Sequence, residues 1–143
     1  MKEHDSKKRY LGEFYTPFAF AKKSIEFINE SINIEELKSG KYRIWDMACG
    51  KGNLEYYLDK SVHKYLYMST IDKEDIEYCK EKFKNASVFQ YDYLNDDIEL
   101  KNQIFNYKKI PKKLKSDLKN KNLNWLIFIN PPYATSQVAG TNS

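Results

Sequence analysis

Short apolar runs alternate with amphipathic stretches along the chain. Four of the apolar runs have the length and composition of strands, at residues 42–48, 65–71, 87–91 and 124–129. One helix is predicted to begin with Thr16 as its N-cap and Pro17 in its first turn, and another to span residues 72–84. Strands that alternate with helices predict an α/β fold with a parallel sheet and right-handed crossovers.

Polar or glycine residues follow each predicted strand. Gly50, Asp72, Asp92 and Asn130 come just after the first, second, third and fourth strands. In parallel α/β sheets, ligands bind beyond the carboxyl ends of the strands. We therefore expect these four positions to meet at one edge of the sheet and to share a site.

The glycine turn Asp46-Met-Ala-Cys-Gly-Lys-Gly-Asn53 can serve several cofactor classes. It lacks the upstream glycine of a phosphate loop, and Glu55 stands where a dinucleotide fingerprint has its third glycine. S-adenosylmethionine remains, since it needs a close backbone approach for its methionine end and an acid, here Asp46, for its ammonium group. A plain strand-to-helix turn stays open as the simpler interpretation.

Two acids after the next strands have two interpretations each. Asp72 can accept hydrogen bonds from both ribose hydroxyls, or it can cap the following helix; the two roles can coexist. Asp92 and Tyr93 can bind and stack on an adenine ring, or form an ordinary turn.

The segment Asn130-Pro-Pro-Tyr133 suits a planar amino group. The Asn130 side-chain oxygen and the Pro131 carbonyl can accept the two hydrogens of such a group and stabilise charge that builds on its nitrogen. Pro131 and Pro132 fix the backbone, and Tyr133 offers a flat face for an extruded base. The alternative is a proline-stiffened loop that ends a core strand.

Phe14-Tyr-Thr-Pro17, the glycine turn, Asp92-Tyr93 and Asn130-Pro-Pro-Tyr133 together resemble the S-adenosylmethionine-dependent N6-adenine DNA methyltransferases of restriction-modification systems. The resemblance implies a Rossmann-like class I methyltransferase sheet, Asn130 to Tyr133 as the catalytic residues, and no metal. It also implies double-stranded DNA as the partner, reached through a longer enzyme, and leaves open whether a restriction endonuclease activity is a further partner. The cofactor-binding residues that it implies are Tyr15, Thr16, Pro17, Asp46, Ala48, Cys49, Gly50, Gly52, Asn53, Asp72, Lys73, Asp92, Tyr93 and Asn130.

The same resemblance implies a sheet of about seven strands, of which the sequence predicts four. Residues 1–143 are therefore expected to be the N-terminal part of a catalytic domain, without a DNA-recognition domain and with little or no transfer activity alone. An apolar edge is expected to be exposed beside the fourth strand.

Three rival functions stay open. Asn-Pro-Pro-Tyr also suits methyltransferases of protein glutamine or of RNA. The chain can also be a cofactor-binding module without catalysis, or, more remotely, a nicotinamide oxidoreductase. Transfer and binding assays separate these functions.

Composition adds few constraints. The 143 residues carry 24 basic and 20 acidic side chains, a net charge of +4 that is compatible with a polyanionic partner. No apolar run approaches the ~20 residues of a membrane span. Cys49 and Cys79 have the spacing of neither a metal site nor a disulfide framework, and we expect a reduced cytoplasmic protein. The lysine-rich segment 101–121 is better explained as a solvated helix face than as a phosphate-binding groove.

Overall fold

A four-stranded, all-parallel sheet forms the centre of the chain, as described by a computed structural model for residues 15–94, 96 and 110–129. The strands are β1 (Tyr42–Asp46), β2 (Leu66–Thr70), β3 (Ser87–Gln90) and β4 (Asn124–Phe128), and they lie in the order β3-β2-β1-β4. This is the order of the first four strands of a doubly wound sheet. The predicted Rossmann-like α/β fold with parallel strands is confirmed.

Helices cover both faces of this sheet. They are α1 (Phe18–Ser31), α2 (Ile34–Lys38), α3 (Lys73–Lys82) and α4 (Lys112–Lys119), with two short 3-10 helices at Glu55–Tyr57 and Lys60–Tyr65. Among the described residues, no helix is long and apolar enough to cross a membrane.

The core has two layers because side chains alternate along each strand. Ile44 and Met68 point to the layer that contains buried residues of α1, α2 and α3. Trp45 and Tyr67 point to the opposite layer, where Leu114 of α4 is buried. Three helices therefore pack on one face of the sheet and α4 packs on the other.

The predicted start of α1 is wrong by one residue. Pro17, not Thr16, is the N-cap: it has an extended backbone (φ −57°, ψ 140°), and no side-chain hydrogen bond caps the helix. The carbonyl of Pro17 accepts from Ala21 N at 3.0 Å, so the first helical turn closes on the proline. Thr16 is thereby left outside the helix.

The end of β1 is also earlier than predicted. Ala48 N donates to the side chain of Asp46 at 3.1 Å, and Cys49 N donates to the Ser69 carbonyl at 2.9 Å. These bonds bend the chain away from the strand direction, so β1 ends at Asp46 and the glycine turn begins there.

The strand β4 is less buried than its apolar sequence predicts. Ile127 is 41% exposed, and Ile129, just beyond the strand, is 55% exposed. In the described part of the chain β4 pairs with β1 alone, so its other side forms an edge. The predicted exposed apolar edge beside the fourth strand is confirmed for these residues.

Candidate functional site

The glycine turn has the backbone that its sequence predicts. Gly50 and Gly52 have φ values of 54° and 75°, which residues with a Cβ rarely adopt. A Cβ on Gly50 would lie 2.7 Å from Cδ1 of Tyr15, and one on Gly52 would lie 2.5 Å from Cε2 of Phe83. The close approach to these glycines is therefore made by aromatic rings of the protein itself.

The segment before α1 is held against this turn by three contacts. The Tyr15 hydroxyl donates to Asp75 at 3.0 Å, and Asn53 Nδ2 donates to the Thr16 carbonyl at 2.9 Å. Lys51 Nζ lies 5.2 Å from the centre of the Tyr15 ring, within range of a cation–π interaction. The structure thus brings together two predicted motifs that are far apart in sequence.

A cavity of about 980 Å³ opens where this segment faces the sheet. Thr16 and Pro17 line it on one side, Ile127–Ile129 on the other, and Asp46 lies between them. Its lining comes mostly from α1 and from the end of β4, beside the point between β1 and β4 where the strand order reverses, which is the usual ligand position in such sheets. Its volume lies in the range of pockets that hold small molecules and cofactors.

Two buried carboxyl groups lie side by side at this point. Asp46 is 3% exposed and Glu55 is fully buried. Burial raises the pKa of Asp46 above its usual value. Burial, followed by the charge of Asp46, raises the pKa of Glu55 well above its usual range. Two carboxylates this close and this dry oppose each other's ionisation, so a second negative charge at this point is unfavourable.

Glu55 is the functional candidate that sequence reasoning misses. In the sequence, Glu55 stands out only as the residue that breaks the match to a dinucleotide fingerprint. The feature that could have identified it is its position: it is an acid on the short helix that directly follows the glycine turn, where the chain turns back toward the core.

The acids after β2 and β3 are engaged in local structure. Asp72 caps α3, because its Oδ1 accepts from Glu74 N at 2.8 Å and from Asp75 N at 3.3 Å. Asp92 Oδ1 accepts from Leu94 N at 3.1 Å. Capping is the second of the two roles anticipated for Asp72, and it leaves the ribose role untested.

Tyr93 extends from the end of β3 toward the end of β1. Its hydroxyl is buried without a hydrogen-bond partner among the described residues, and it packs beside the core layer of α4. Burial raises its pKa, and the charges of Asp92 and Asp46 act in the same direction. The ends of β3 and β1 therefore each place a carboxyl group within electrostatic range of Tyr93.

The predicted site residues divide into three groups. Tyr15, Thr16, Pro17 and Asp46 line the cavity. The remaining predicted cofactor residues of the described chain lie in the glycine turn or after β2 and β3, at the same edge of the sheet but outside the cavity lining: Ala48, Cys49, Gly50, Gly52, Asn53, Asp72, Lys73, Asp92 and Tyr93. The catalytic residues Asn130, Pro131, Pro132 and Tyr133 lie outside the described residues, directly after Ile129, which lines the cavity.

The two cysteines behave as packing residues. Both thiols are free and buried, and both donate to the Gly50 carbonyl, from Cys49 at 3.5 Å and from Cys79 at 3.3 Å. The described part of the chain contains no cluster of three or more histidine, cysteine or acidic residues that could hold a metal ion.

Comparison of the chain with protein-family models, with curated proteins and with solved structures gave no match in any of the three. The functional argument therefore depends on the residues and their geometry.

Proposed function

We propose that this chain is part of an S-adenosylmethionine-dependent methyltransferase that acts on the exocyclic amino group of adenine in DNA. The observation that carries the proposal is the cavity between α1 and β4, beside the β1–β4 switch point, whose lining includes both Asp46 and the segment Tyr15–Pro17. A negatively charged carboxyl group and a predominantly apolar wall suit a ligand that combines an ammonium group with a nucleoside.

The residues present fit this cofactor. Asp46 would bind the ammonium group through the carboxylate form of its buried side chain, and the Thr16 region would hold the carboxylate of the cofactor. Asp72 and Lys73 would lie beside the ribose, with Asp92 and Tyr93 toward the adenine. When bound, S-adenosylmethionine would supply an electrophilic methyl group. The apolar wall formed by Ile127–Ile129 would exclude water from that group.

The substrate assignment depends on Asn130 to Tyr133, which follow the last cavity residue in sequence. Asn130 and Pro131 would accept the two hydrogens of the target amino group, and Tyr133 would stack on the base. Because the amino group of a paired adenine is enclosed in the duplex, the base would have to be flipped out. Double-stranded DNA, a linked restriction endonuclease and a cytoplasmic location belong to the same proposal.

Cofactor binding is tested with radiolabelled S-adenosylmethionine and the 143-residue chain in a filter-binding assay. We expect saturable binding that unlabelled S-adenosylhomocysteine displaces, and a loss of at least about tenfold in affinity for Asp46→Asn. Asp59→Asn is the matched control, because Asp59 is an exposed helix cap far from the cavity lining. Binding of NAD in place of S-adenosylmethionine would contradict the proposal and favour an oxidoreductase.

Transfer is tested with the polypeptide that the complete reading frame encodes. Adenine-containing duplex DNA, structured RNA and a glutamine-containing peptide are offered in parallel with labelled cofactor. We expect label in the DNA and none after Asn130→Ala. Labelled RNA or labelled peptide would identify that molecule, and not DNA, as the substrate. Cofactor binding without transfer to any substrate would indicate a binding module.

A further inference from the structure

Glu55 is a buried acid that the proposed chemistry does not use. It lies on the 3-10 helix Glu55–Tyr57, directly after the glycine turn, and none of its side chain reaches solvent. Among the described residues, neither of its carboxyl oxygens has a hydrogen-bond donor. A buried carboxylate without donors is costly, so this group needs another way to be satisfied.

In the part of the chain that the structure describes, no positively charged group acts on Glu55. The titratable groups that face it are Asp46, Cys49 and Cys79, and none of these is a cation. A neutral Glu55, in contrast, carries a proton that it can donate to the Asp46 carboxylate beside it. Carboxylic acid to carboxylate hydrogen bonds are short and strong, and this one would satisfy both buried groups.

We infer that Glu55 is a positioning residue for the cofactor: in its neutral form it donates a hydrogen bond to Asp46 and so fixes a single carboxylate toward the ammonium group of the ligand. This inference rests on the proposed function, since it takes the ligand to be a nucleoside that carries an amino acid. Ala48 N already binds Oδ1 of Asp46 from the turn at 3.1 Å. With Glu55 on the carboxyl group as well, Asp46 would be held from two sides.

The arrangement also matches the charge of the Asp46–Glu55 pair to that of the ligand's ammonium group. One ammonium group meets one negative charge, so this ion pair adds no net charge to the buried site. If Glu55 were ionised as well, the bound site would keep a buried net charge of −1, with the associated desolvation cost. A neutral hydrogen-bond donor at position 55 is therefore better than either a second charge or an apolar side chain.

The test compares two substitutions and two ligands by calorimetry on the 143-residue chain. Glu55→Gln keeps a neutral donor of the same size, and Glu55→Leu removes the donor while it keeps the apolar volume. S-adenosylhomocysteine carries the amino-acid part, whereas 5′-methylthioadenosine has the same nucleoside and thioether without it. We expect Glu55→Gln to bind S-adenosylhomocysteine within about threefold of the unmodified chain, and Glu55→Leu to bind it at least about tenfold more weakly. Both variants should bind methylthioadenosine like the unmodified chain.

Each outcome decides something different. Equal losses of affinity for both ligands would mean that Glu55 only supports the fold. A tenfold loss of affinity for S-adenosylhomocysteine in Glu55→Gln would mean that the charge of Glu55 is needed. Both outcomes contradict the inference and leave the proposed function standing. Failure of the unmodified chain to bind S-adenosylhomocysteine would overturn the proposed function itself.

A measurement without ligand tests the protonation of Glu55 separately. Because its folded-state pKa is raised, the folded chain holds a proton that the unfolded chain loses above pH ~4.5, so stability should fall as the pH rises through the folded-state pKa. Glu55→Gln should remove this part of the fall. Identical pH dependence in the two chains would contradict a neutral Glu55, whether or not Glu55→Leu folds.

Discussion

Burial controls the charge of several side chains in this fold. The pKa values of Asp46 and Glu55 are both raised because these acids are removed from water, so two negative charges side by side are unfavourable there. His63 is a base, so the same burial has the opposite effect on it. Burial disfavours the protonated ring and lowers the pKa of His63 below its usual value. Its Nε2 lies 3.2 Å from the Leu58 carbonyl, and its ring lies 5.5 Å from that of Phe83. The free energy of unfolding should therefore depend on pH at both kinds of site.

His63 should make the chain sensitive to mild acid. In the unfolded chain it takes up a proton below pH ~6.5, whereas in the folded chain protonation is delayed to lower pH. Its contribution to stability is thus fully present above pH ~6.5 and is lost as the pH falls through the folded-state pKa. Urea unfolding from pH 7.5 to 5.5 should show a steeper loss in the unmodified chain than in His63→Gln. Parallel curves would contradict this account.

At the residue scale, the sequence predicts the role of a residue where that role has a local cause. Gly50 and Gly52 are recognisable because the tight turn after β1 requires positive φ, and Asp72 because an acid before a helical pattern caps it. The burial of Glu55 and of the Tyr93 hydroxyl cannot be recognised in the sequence, since it depends on strands and helices that are distant along the chain. The roles of Asp46 and of Asn130 to Tyr133 stay predictions.

At the element scale, one half-buried carboxylate attaches α4 to the sheet. Asp117 of α4 accepts from Arg43 Nε of β1 at 2.8 Å and from the Tyr67 hydroxyl of β2. The Arg43 and Asp117 side chains are each 16% exposed, so the pair is largely shielded from water. Desolvation and the hydrogen bond to Asp117 raise the pKa of Tyr67, which keeps its hydroxyl a donor.

Asp117→Ala should destabilise the chain by about 2–4 kcal/mol, because it leaves a shielded guanidinium and a tyrosine hydroxyl without their shared acceptor. Lys80→Ala is the matched control: its pair with Glu77 spans 3.9 Å on the surface, and its loss should cost at most about 0.5 kcal/mol. Denaturant unfolding measures both values. Similar effects of the two substitutions would contradict an anchoring role for Asp117.

As with single residues, an element could be predicted where its own sequence produces a pattern, and not where its burial depends on distant parts of the chain. The four strands stand out because each is a short apolar run between polar turns. The helix α4 does not, since only Ile110 and Leu114 are fully buried in a lysine-rich segment, and their burial depends on the sheet face that they cover. The helix α2, which is a single turn capped by Asn33, is too short to produce a periodic pattern.

At the scale of the whole molecule, apolar side chains collect on one side of the described chain. Phe20 and Phe27 of α1 are 69% and 68% exposed, and they line the cavity together with Ile127 and Ile129. Exposed apolar surface next to a strand edge promotes association between chains.

The 143-residue chain should therefore associate in a concentration-dependent way, and Ile127→Lys should reduce this association, because a charge on an edge strand opposes pairing. Ile71→Lys is the control, since Ile71 is exposed to a similar extent, 39%, but lies at the end of β2. Sedimentation velocity from low to high micromolar concentration measures the effect. Equal behaviour of the two variants would show that this edge does not drive association.

The central claim is that the cavity between α1 and β4, beside Asp46, belongs to a cofactor site at the carboxyl edge of the sheet. Amide NMR spectra of the ¹⁵N-labelled chain, titrated with S-adenosylhomocysteine, test it most directly. The account predicts shifts at Thr16, Asp46, Gly50 and Asp72, and none at Asn33, which lines a separate cavity of about 620 Å³ beside Asp59. Shifts confined to that second cavity, or no shifts at saturating ligand, would contradict it.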